Sequence, residues 1–527
     1  MKLTKNIFII ALLALISTGC EDFLEPKSNS EFVPKDANSL NELLLGEAYQ
    51  RNDMDGFNIF LGLLDDDIEA APYQKPLENF NSNKYLASFA WQPDMFRMME
   101  EANAGHINMY EKYYELILGA NAVLDYLPKV TDTEEMKNFV KAQALALRGF
   151  YYFNLVNIFG QPYNHNPEAL AVPLKLTSGI EADEDALSRK TVAEVYTQIL
   201  NDLHVAEETY KILPTELQWN KKYRTSLPMV QLMLSRTYLY MENWEEAAEY
   251  AKKVMDNTNF SLKDLNNVYS DAVEYMYYPT YDSPETIWAY GSPEDMFSWV
   301  CNEANIVNTA DENRKMHSYF QASQDLINSF DEYDLRRDNY IIKAPIGTKT
   351  EGKETITIYQ DMAYGKILVG TQYYLPKNAI NIFGRCLRLS EAYLNYAEAQ
   401  ANIGGEGIQN SIEALNTLCI NRYETDSEPE ISTEREELIK FIKDERRREL
   451  CFEGHRWFDL RRWGMPEITH VWHESATKND TISHVYRLTE KDLMYTIPIP
   501  DEAMQENSKL VQNELPDKRT YEKINNN

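Results

Sequence analysis

The clearest periodic pattern in the chain is the stretch from Leu227 to Phe260, LPMVQLMLSRTYLYMENWEEAAEYAKKVMDNTNF. Apolar residues recur at helical spacing in its first half, Glu242 and Asn243 interrupt the pattern, and a second apolar stripe starts at Trp244. Alanines occupy this second stripe, where two helices have to approach closely. The pattern predicts two amphipathic helices joined by a tight turn, a helical hairpin of the tetratricopeptide type.

Similar patterns elsewhere predict a fold built mainly from helices. Helical pairs are expected at about 36–50, 106–160, 191–260 and 390–463. The stretches between them are rich in Pro, Gly, Asn, Asp and Tyr, and they cover about 52–105, 261–386 and 464–500. Stretches of this length usually fold over a scaffold and carry function. The expected fold class is mostly α: a tetratricopeptide-like helical-pair scaffold with a long loop-rich, ligand-binding cap, in one composite domain from 36 to 527.

Two capping-box patterns mark expected helix starts. Thr191 with Glu194 predicts one of them, and Thr433 with Glu436 predicts the start of a long helix near the C-terminal end. Within the cap, the short run Glu354–Tyr359 has the alternation of a β-strand.

The N-terminus has the pattern of a bacterial lipoprotein signal. Lys2 and Lys5 precede the apolar run Ile7–Ile16, and small residues lead to Cys20. About ten apolar residues cover only half of a bilayer core, so this run is too short to span a membrane. The pattern predicts a signal peptide over 1–19, lipidation of Cys20 and a polar tether over 20–35. An ordinary secretory signal with a chance cysteine is the alternative.

Composition restricts the class of partner. The chain has 527 residues, 44% of them hydrophobic and 12% aromatic, which is typical of a folded protein with a large core. Its formal net charge of −31 repels nucleic acid and anionic lipid headgroups, so no nucleic-acid partner is expected. The cysteines other than Cys20 show no CxxC spacing, and a disulfide framework is not expected.

No motif in the sequence indicates catalysis. With 83 acidic residues, neighbouring carboxylates are expected by chance and do not indicate a glycosidase pair. His470 and His473 stand three residues apart without further ligands around them, so a surface histidine pair is favoured over a metal site. HExxH, GxSxG and P-loop patterns are absent from the sequence. The protein is therefore expected to be no enzyme and to need no cofactor and no metal.

The densest charged segment is ERRRELCFEGHRWFDLRRW, residues 445–463. Its arginines alternate with acids at helical spacing, and both Asp444 and Glu445 are placed to pair with Arg448. Guanidinium groups suit bidentate pairing with carboxylates in partly buried places. A structural set of ion pairs is favoured over an anion site, and its expected members are Glu445, Arg448, Arg456 and Asp459.

This segment closely resembles the C-terminal signature of the SusD/RagB family, the cell-surface glycan-binding lipoproteins of Bacteroidetes-type bacteria. Further motifs similar to those of the family follow the family's order: CEDFLE at 20–25, RGFYY at 148–152, LSEAYLNYAEA at 389–399 and IPIP at 497–500. The resemblance runs from Cys20 to about Asn513 and covers nearly the whole expected mature chain.

The resemblance implies a SusD-like protein without catalytic activity, lipid-anchored in the cell outer membrane and facing the exterior. Members of the family bind an oligosaccharide and sit as a lid over a TonB-dependent transporter of the SusC type. Their helices mostly form the scaffold and the transporter contact, while loops on the other face hold the sugar. The implied partners are a SusC-like transporter, a glycan and the membrane. Peptide cargo with the same partner, or a protein-only helical-repeat adaptor, are the alternatives.

A sugar site needs flat aromatic rings for the C–H faces of pyranoses, and carboxylates or amides for their hydroxyls. Aromatic residues close to acids in the cap are therefore the candidates, with core packing as the alternative for each of them. The aromatic run Tyr275–Tyr281 is a second option. The candidate ligand-binding residues are Asp66, Asp67, Tyr73, Trp91, Trp288, Tyr290 and Trp299.

Overall fold

The computed structural model describes residues 34–51, 57, 59–70, 83–102, 108–179, 184–219, 221–267, 281–292, 295, 306–307, 315–316, 320–351, 354–362, 383–474 and 481–526. The predicted signal peptide, Cys20 and most of the predicted tether lie outside these ranges. So do two of the predicted ligand-binding residues, Tyr73 and Trp299.

The described part of the chain is mostly helical. Its helices are α1 (Ala37–Glu47), α2 (Asn83–Phe89), α3 (Met95–Glu101), α4 (Met109–Tyr126), α5 (Glu134–Phe159), α6 (Val192–Lys211), α7 (Thr215–Gln218), α8 (Leu227–Tyr240), α9 (Trp244–Met255), α10 (Gln324–Ser329), α11 (Arg336–Tyr340), α12 (Leu389–Ile403), α13 (Glu406–Cys419), α14 (Arg435–Leu450), α15 (Arg456–Arg462) and α16 (Asp501–Glu506).

Most of the strands are short, and they pair antiparallel in small sheets. They are β1 (Ile68–Ala70), β2 (Leu170–Pro173), β3 (Arg189–Thr191), β4 (Thr286–Tyr290), β5 (Ile306–Val307), β6 (Lys315–Met316), β7 (Phe320–Ala322), β8 (Ile342–Glu351), β9 (Glu354–Met362), β10 (Arg385–Arg388), β11 (Ile468–Glu474), β12 (Thr481–Leu488) and β13 (Glu522–Asn526). The pairs are β1 with β7, β4 with β10, β2 with β3, β5 with β6 and β8 with β9, and β11, β12 and β13 form one sheet.

The hairpin predicted from the periodic stretch is confirmed as α8 and α9. The side chain of Ser226 caps the start of α8 by accepting a hydrogen bond from the Met229 amide. Glu242 takes a left-handed conformation with φ 58° between the two helices, which turns the chain back. Where the helices are close, the Ser235 hydroxyl donates to the Ala247 carbonyl oxygen at 2.9 Å. The hairpin is thus held by a cap, a turn and a direct contact.

The centre of the core is α5, which packs between α4 and α6. Its side chains are buried almost without interruption from Phe139 to Phe159. Gly149 faces α6 so closely that a Cβ atom at this position would lie 3.1 Å from Cγ of Leu203. The glycine therefore allows the two helices to approach each other, which a larger residue would prevent.

The capping box of Thr191 and Glu194 is confirmed at the start of α6. The box predicted at Thr433 is wrong, because α14 begins at Arg435 with Glu434 as its first flanking residue. The Ser432 hydroxyl accepts a hydrogen bond from the Glu434 amide at 3.1 Å and so forms a turn ahead of the helix. The local hydrogen bond of Ser432 therefore takes the place of the expected capping box at Thr433.

The cap contains more regular structure than the sequence pattern predicts. The run Glu354–Tyr359 is confirmed as part of β9, which forms a hairpin with β8. Other cap strands pair over long distances along the chain, as β1 does with β7 and β4 with β10. Such pairing depends on partners far apart in sequence, and a local pattern does not reveal it. Among the described residues, no helix is long and apolar enough to span a membrane.

Candidate functional site

A network of buried arginines and carboxylates connects four separate elements. Glu449 of α14 accepts from three arginines, with shortest N–O distances of 3.0 Å to Arg336, 2.5 Å to Arg388 and 2.9 Å to Arg422. The three arginines come from α11, from the end of β10 and from the segment after α13, and each is at most 1% exposed. Burial raises the pKa of Glu449, but the three positive charges outweigh it and hold that pKa well below its usual value. Glu449 is therefore ionised and paired.

Glu445 and Arg448 lie in the same network. Arg448 donates to Glu445 at 2.8 Å, and Arg336 reaches Glu445 at 2.6 Å. Asp444 is exposed, and the second acid close to Arg448 is Asp334, at 3.8 Å. The expected pairing of Asp444 with Arg448 is therefore wrong. Arg448 turns towards the protein interior, where Asp334 is supplied by a distant segment.

Asp459 and Arg456, on α15, pair with different neighbours. Asp459 accepts from Arg446 and Arg462, each at 2.8 Å. Arg456 holds Asp66 through two hydrogen bonds, at 2.6 and 2.8 Å. This two-point contact joins α15 to the segment that precedes β1, which belongs to the predicted cap.

The two acids predicted to contact ligand thus lie in ion pairs. Arg447 donates to Asp67 at 2.8 Å, and Asp67 is 1% exposed. Burial raises the pKa of Asp66, but its hydrogen bond with Arg456 and the charge of Arg447 outweigh burial and lower that pKa. Asp67 has no surface to offer a sugar in this structure, and Asp66 is bound on both oxygens. Their contribution here is to attach the cap to the scaffold.

The predicted stacking tryptophans are core residues. Trp91 is 0% exposed, and its indole nitrogen donates to the Leu64 carbonyl oxygen at 2.9 Å. Trp288 is also 0% exposed, edge-on to Phe150 at 4.9 Å and stacked on Tyr290 at 4.4 Å. A ring without exposed surface cannot stack on a sugar, so the structure contradicts the assignment of both tryptophans. Tyr290 packs against the same core and is half-buried.

The expectation of a surface histidine pair is wrong for His470. Both histidines lie on β11, where residues three apart point to opposite faces, whereas on a helix they would share one. His470 is 3% exposed and lies between the rings of Phe89 and Trp91, each at 4.1 Å. In the described part of the chain, no group of three or more His, Cys, Asp or Glu side chains is arranged to hold a metal ion.

A partly exposed row of aromatic rings, which we call the aromatic row, consists of Tyr223, Tyr281 and Phe383. The centroids of Tyr223 and Tyr281 are 6.5 Å apart at an interplanar angle of 23°, and those of Tyr281 and Phe383 are 6.0 Å apart at 26°. Nearly parallel rings at these separations are displaced sideways, so each leaves part of its face uncovered. Tyr223 is 37% exposed, and the other two are half-buried.

Polar groups of the right kind flank the aromatic row. Asp282 is exposed next to Tyr281, and Lys222 reaches the Ser283 carbonyl oxygen at 2.7 Å. Arg224 is buried over the Tyr223 ring, 5.9 Å from its centroid, and its guanidinium group is bonded to Asn41 and Gln143. The uncovered parts of the rings and the exposed carboxylate of Asp282 are therefore the groups that suit a sugar chain.

Sequence reasoning found only the middle ring of this row. Tyr281 closes the aromatic run Tyr275–Tyr281 that was a second option for the ligand site. Tyr223 and Phe383 stand in two other segments, ahead of α8 and of β10, and carry no local signal. The Ala289 amide of β4 donates to the Lys222 carbonyl oxygen at 2.7 Å, and β10 pairs with β4, so the segments of Tyr223 and Phe383 both contact β4 through long-range pairing that a local pattern does not reveal.

A groove of about 750 Å³ lies elsewhere, between α4 and the C-terminal segment around α16. Its lining includes the exposed Leu118 and several glutamates. Its two tyrosines offer little ring surface, since Tyr110 is 7% exposed and the Tyr114 hydroxyl is engaged by the Pro173 carbonyl oxygen at 2.7 Å. The aromatic row is therefore the better candidate for stacking on a sugar.

Comparison with known families gives two matches along the chain. The family model described as "SusD family" matches residues 377–516, and the one described as "Starch-binding associating with outer membrane" matches residues 22–239. Among characterised sequences, the SusD-like protein P38 of Formosa agariphila is 23% identical, over 88% of this chain and 92% of that protein. The SusD-like protein P2 of the same bacterium is 25% identical, over 66% of this chain and 70% of that protein.

Solved structures share the fold. A SusD-like carbohydrate binding protein from Bacteroides vulgatus superposes with a TM-score of 0.63 at 19% identity, covering 90% of this chain and 98% of that one. A SusD superfamily protein from Bacteroides thetaiotaomicron superposes with a TM-score of 0.64 at 21% identity, covering 91% of this chain and 100% of that one. The two family models match residues 22–239 and 377–516, together more than half of the chain, and the chain therefore belongs to the SusD/RagB family.

Proposed function

We propose that the protein binds oligosaccharides or polysaccharides at the cell surface and delivers them to a partner TonB-dependent outer-membrane transporter of the SusC type. It would do so without catalysis, held by a lipid on Cys20 at the outer membrane with its bulk facing the exterior. The partly exposed aromatic row is the observation that carries the binding role. The family description "Starch-binding associating with outer membrane" supports both the glycan and the membrane association.

The aromatic row suits a chain of sugars better than a single one. Three rings in succession provide several apolar faces, on which consecutive pyranose rings stack through their C–H groups. The carboxylate of Asp282 accepts hydrogen bonds from sugar hydroxyls at the margin of the row. Stacking supplies affinity and the polar margin supplies orientation.

Removing a ring from the aromatic row is expected to weaken glycan binding. Tyr223→Ala and Tyr281→Ala are each expected to raise the Kd for the bound polysaccharide about tenfold, which corresponds to about 1.4 kcal/mol of lost stacking. A glycan array identifies the polysaccharide, and calorimetric titration measures the Kd of each variant.

The matched control is Tyr333→Ala, since Tyr333 is 44% exposed and lies outside the row. It is expected to leave the Kd unchanged. An equal loss of glycan affinity in Tyr223→Ala, Tyr281→Ala and Tyr333→Ala contradicts the assignment of the aromatic row as the glycan site. Binding of peptides with no response to any polysaccharide contradicts the choice of cargo.

The lipid anchor gives a separate prediction. Cys20→Ala is expected to remove acylation and to shift the protein from the membrane fraction to the soluble fraction, because no other membrane attachment is proposed. Cell fractionation with labelled palmitate measures this, and Cys301→Ala is the cysteine control that should stay at the membrane. Retention of the Cys20→Ala protein on membranes in high salt contradicts the prediction.

Delivery to a transporter is tested in detergent extracts of the outer membrane. The full-length protein is expected to co-purify with a TonB-dependent transporter. The Tyr223→Ala variant is expected to co-purify equally well, since the row is proposed to hold the cargo.

A further inference from the structure

The imidazole of His470 has hydrogen-bond acceptors on both sides. Its Nδ1 atom is 2.7 Å from the carbonyl oxygen of Phe89, and its Nε2 atom is 2.9 Å from the carbonyl oxygen of Asp65. A carbonyl oxygen only accepts, so both ring nitrogens have to donate for both contacts to be favourable. A neutral imidazole carries a single N–H. It would set a nitrogen lone pair against a carbonyl oxygen at hydrogen-bonding distance, inside a buried site.

The faces of the ring are enclosed by aromatic groups. Phe89 stacks on one face at 4.1 Å and an angle of 16°, and Trp91 stacks on the other at 4.1 Å and 22°. Aromatic faces carry negative charge density and attract a cation, most strongly where water is excluded. The site is therefore built like a cage for a flat cation, with two carbonyl oxygens in the plane and two π-faces above and below it.

Among the described residues, the three acids ahead of β1 are paired with two cationic side chains. Asp65, Asp66 and Asp67 are consecutive, and the cationic groups paired with them are the guanidinium groups of Arg447 and Arg456. Asp65 is 5% exposed, and burial together with the charges of Asp67 and Asp66 raises its pKa well above the usual value. Burial raises the pKa of Asp67 as well, so a proton in this cluster belongs on Asp65, on Asp67 or on the imidazole whose Nε2 atom faces the Asp65 carbonyl oxygen.

Burial acts against the charged ring. Burial lowers the pKa of His470 to about 4, although the hydrogen bonds to the Phe89 and Asp65 carbonyl oxygens and the charge of Asp66 raise it. The paired aromatic faces also favour the charged ring. Charged and titratable groups on the surrounding elements are Asp65, Asp66, Asp67, Glu69, Arg447, Arg456, His473, Tyr486 and Arg519.

We propose that His470 is an imidazolium at neutral pH and works as a positioning residue. Its two N–H groups hold the segment ahead of β1 and the end of α2 against β11, and we call this arrangement the cationic clasp. Its positive charge also attracts the carboxylate of Asp66. The clasp does not depend on the identity of the cargo. The clasp contributes to the stability of the folded protein while the ring is protonated. This contribution is lost as pH rises through the pKa of His470, which is expected to lie above the usual value for a histidine.

The test is nitrogen NMR of the full mature chain labelled with ¹⁵N-histidine. At pH 7, His470 is expected to show two protonated ring nitrogens, and its pKa is expected to exceed the usual value for a histidine. His455 is the buried control. Burial and then the nearby charges of Arg236 and Arg446 hold its pKa well below the usual value, so it should show one bare nitrogen.

Two variants make the result specific. His470→Phe keeps a flat ring in the cage and assigns the signal by its loss. Asp66→Asn removes the acid whose charge raises the pKa of His470 and is expected to lower that pKa by about one unit, and this shift identifies the signal even if His470→Phe does not fold. A neutral His470 at pH 7, or a pKa that is unchanged in Asp66→Asn, overturns the proposal. Neither result bears on glycan binding by the aromatic row.

Discussion

Glu449→Gln is expected to lower the free energy of unfolding by about 3–5 kcal/mol, the usual cost of breaking a buried ion pair from one side. Glu449 is 0% exposed and is the shared partner of Arg336, Arg388 and Arg422. An amide is neutral and offers a single acceptor oxygen, so three desolvated guanidinium groups lose most of their compensation. Urea or guanidinium denaturation of the purified mature chain measures the change.

Asp444→Asn is the matched control for this prediction. Asp444 lies on the same helix, α14, and carries the same charge, but its side chain is exposed. Its replacement is expected to change the free energy of unfolding by less than about 0.5 kcal/mol. A loss from Asp444→Asn as large as that from Glu449→Gln would restore the pairing of Asp444 with Arg448 and contradict the structure.

Trp288→Ala is expected to lower the free energy of unfolding by about 3–5 kcal/mol, which is typical of removing a large buried aromatic residue. The side chain is 0% exposed and packs between Tyr290 and Phe150, so its loss leaves a cavity in the core. Trp288→Phe, which keeps a ring in that place, is expected to cost clearly less.

Glycan affinity separates this role from that of a ligand contact. The folded fraction of Trp288→Ala is expected to bind polysaccharide with an unchanged Kd, while Tyr223→Ala loses affinity and keeps its stability. The two variants should therefore have opposite profiles in denaturation and in titration. A Trp288→Ala protein of native stability that no longer binds the polysaccharide would show that the original sequence-based assignment was right.

Several parts of the fold follow from local sequence. The α8–α9 hairpin follows from helical periodicity with a break at Glu242, and the start of α6 follows from Thr191 and Glu194. Both signals are contained within a few turns of chain, where neighbouring residues determine backbone conformation. The capping box predicted at Thr433 was wrong because a neighbouring residue, Ser432, forms a competing local hydrogen bond with the Glu434 amide.

The candidate site was less predictable than the fold. Aromatic residues in a cap rich in polar residues suit both a sugar site and a packing anchor, and the sequence does not separate the two roles. Trp91 and Trp288 proved to be anchors, whereas Tyr223 and Phe383 had no local signal and yet form the partly exposed row with Tyr281. Exposure depends on what covers a side chain, and in this protein the covering groups come from distant segments.

The sequence by itself determined the helical scaffold, the acidic charge, the predicted lipid attachment at Cys20 and the family signature with its interleaved charges. These features depend on residue type and short spacing. Only the tertiary structure decided which carboxylate each arginine meets, which rings stay exposed and which atoms surround His470. The physical reason is that ion pairing, burial and stacking act across space, and here they join segments that lie hundreds of residues apart, as Asp66 and Arg456 do.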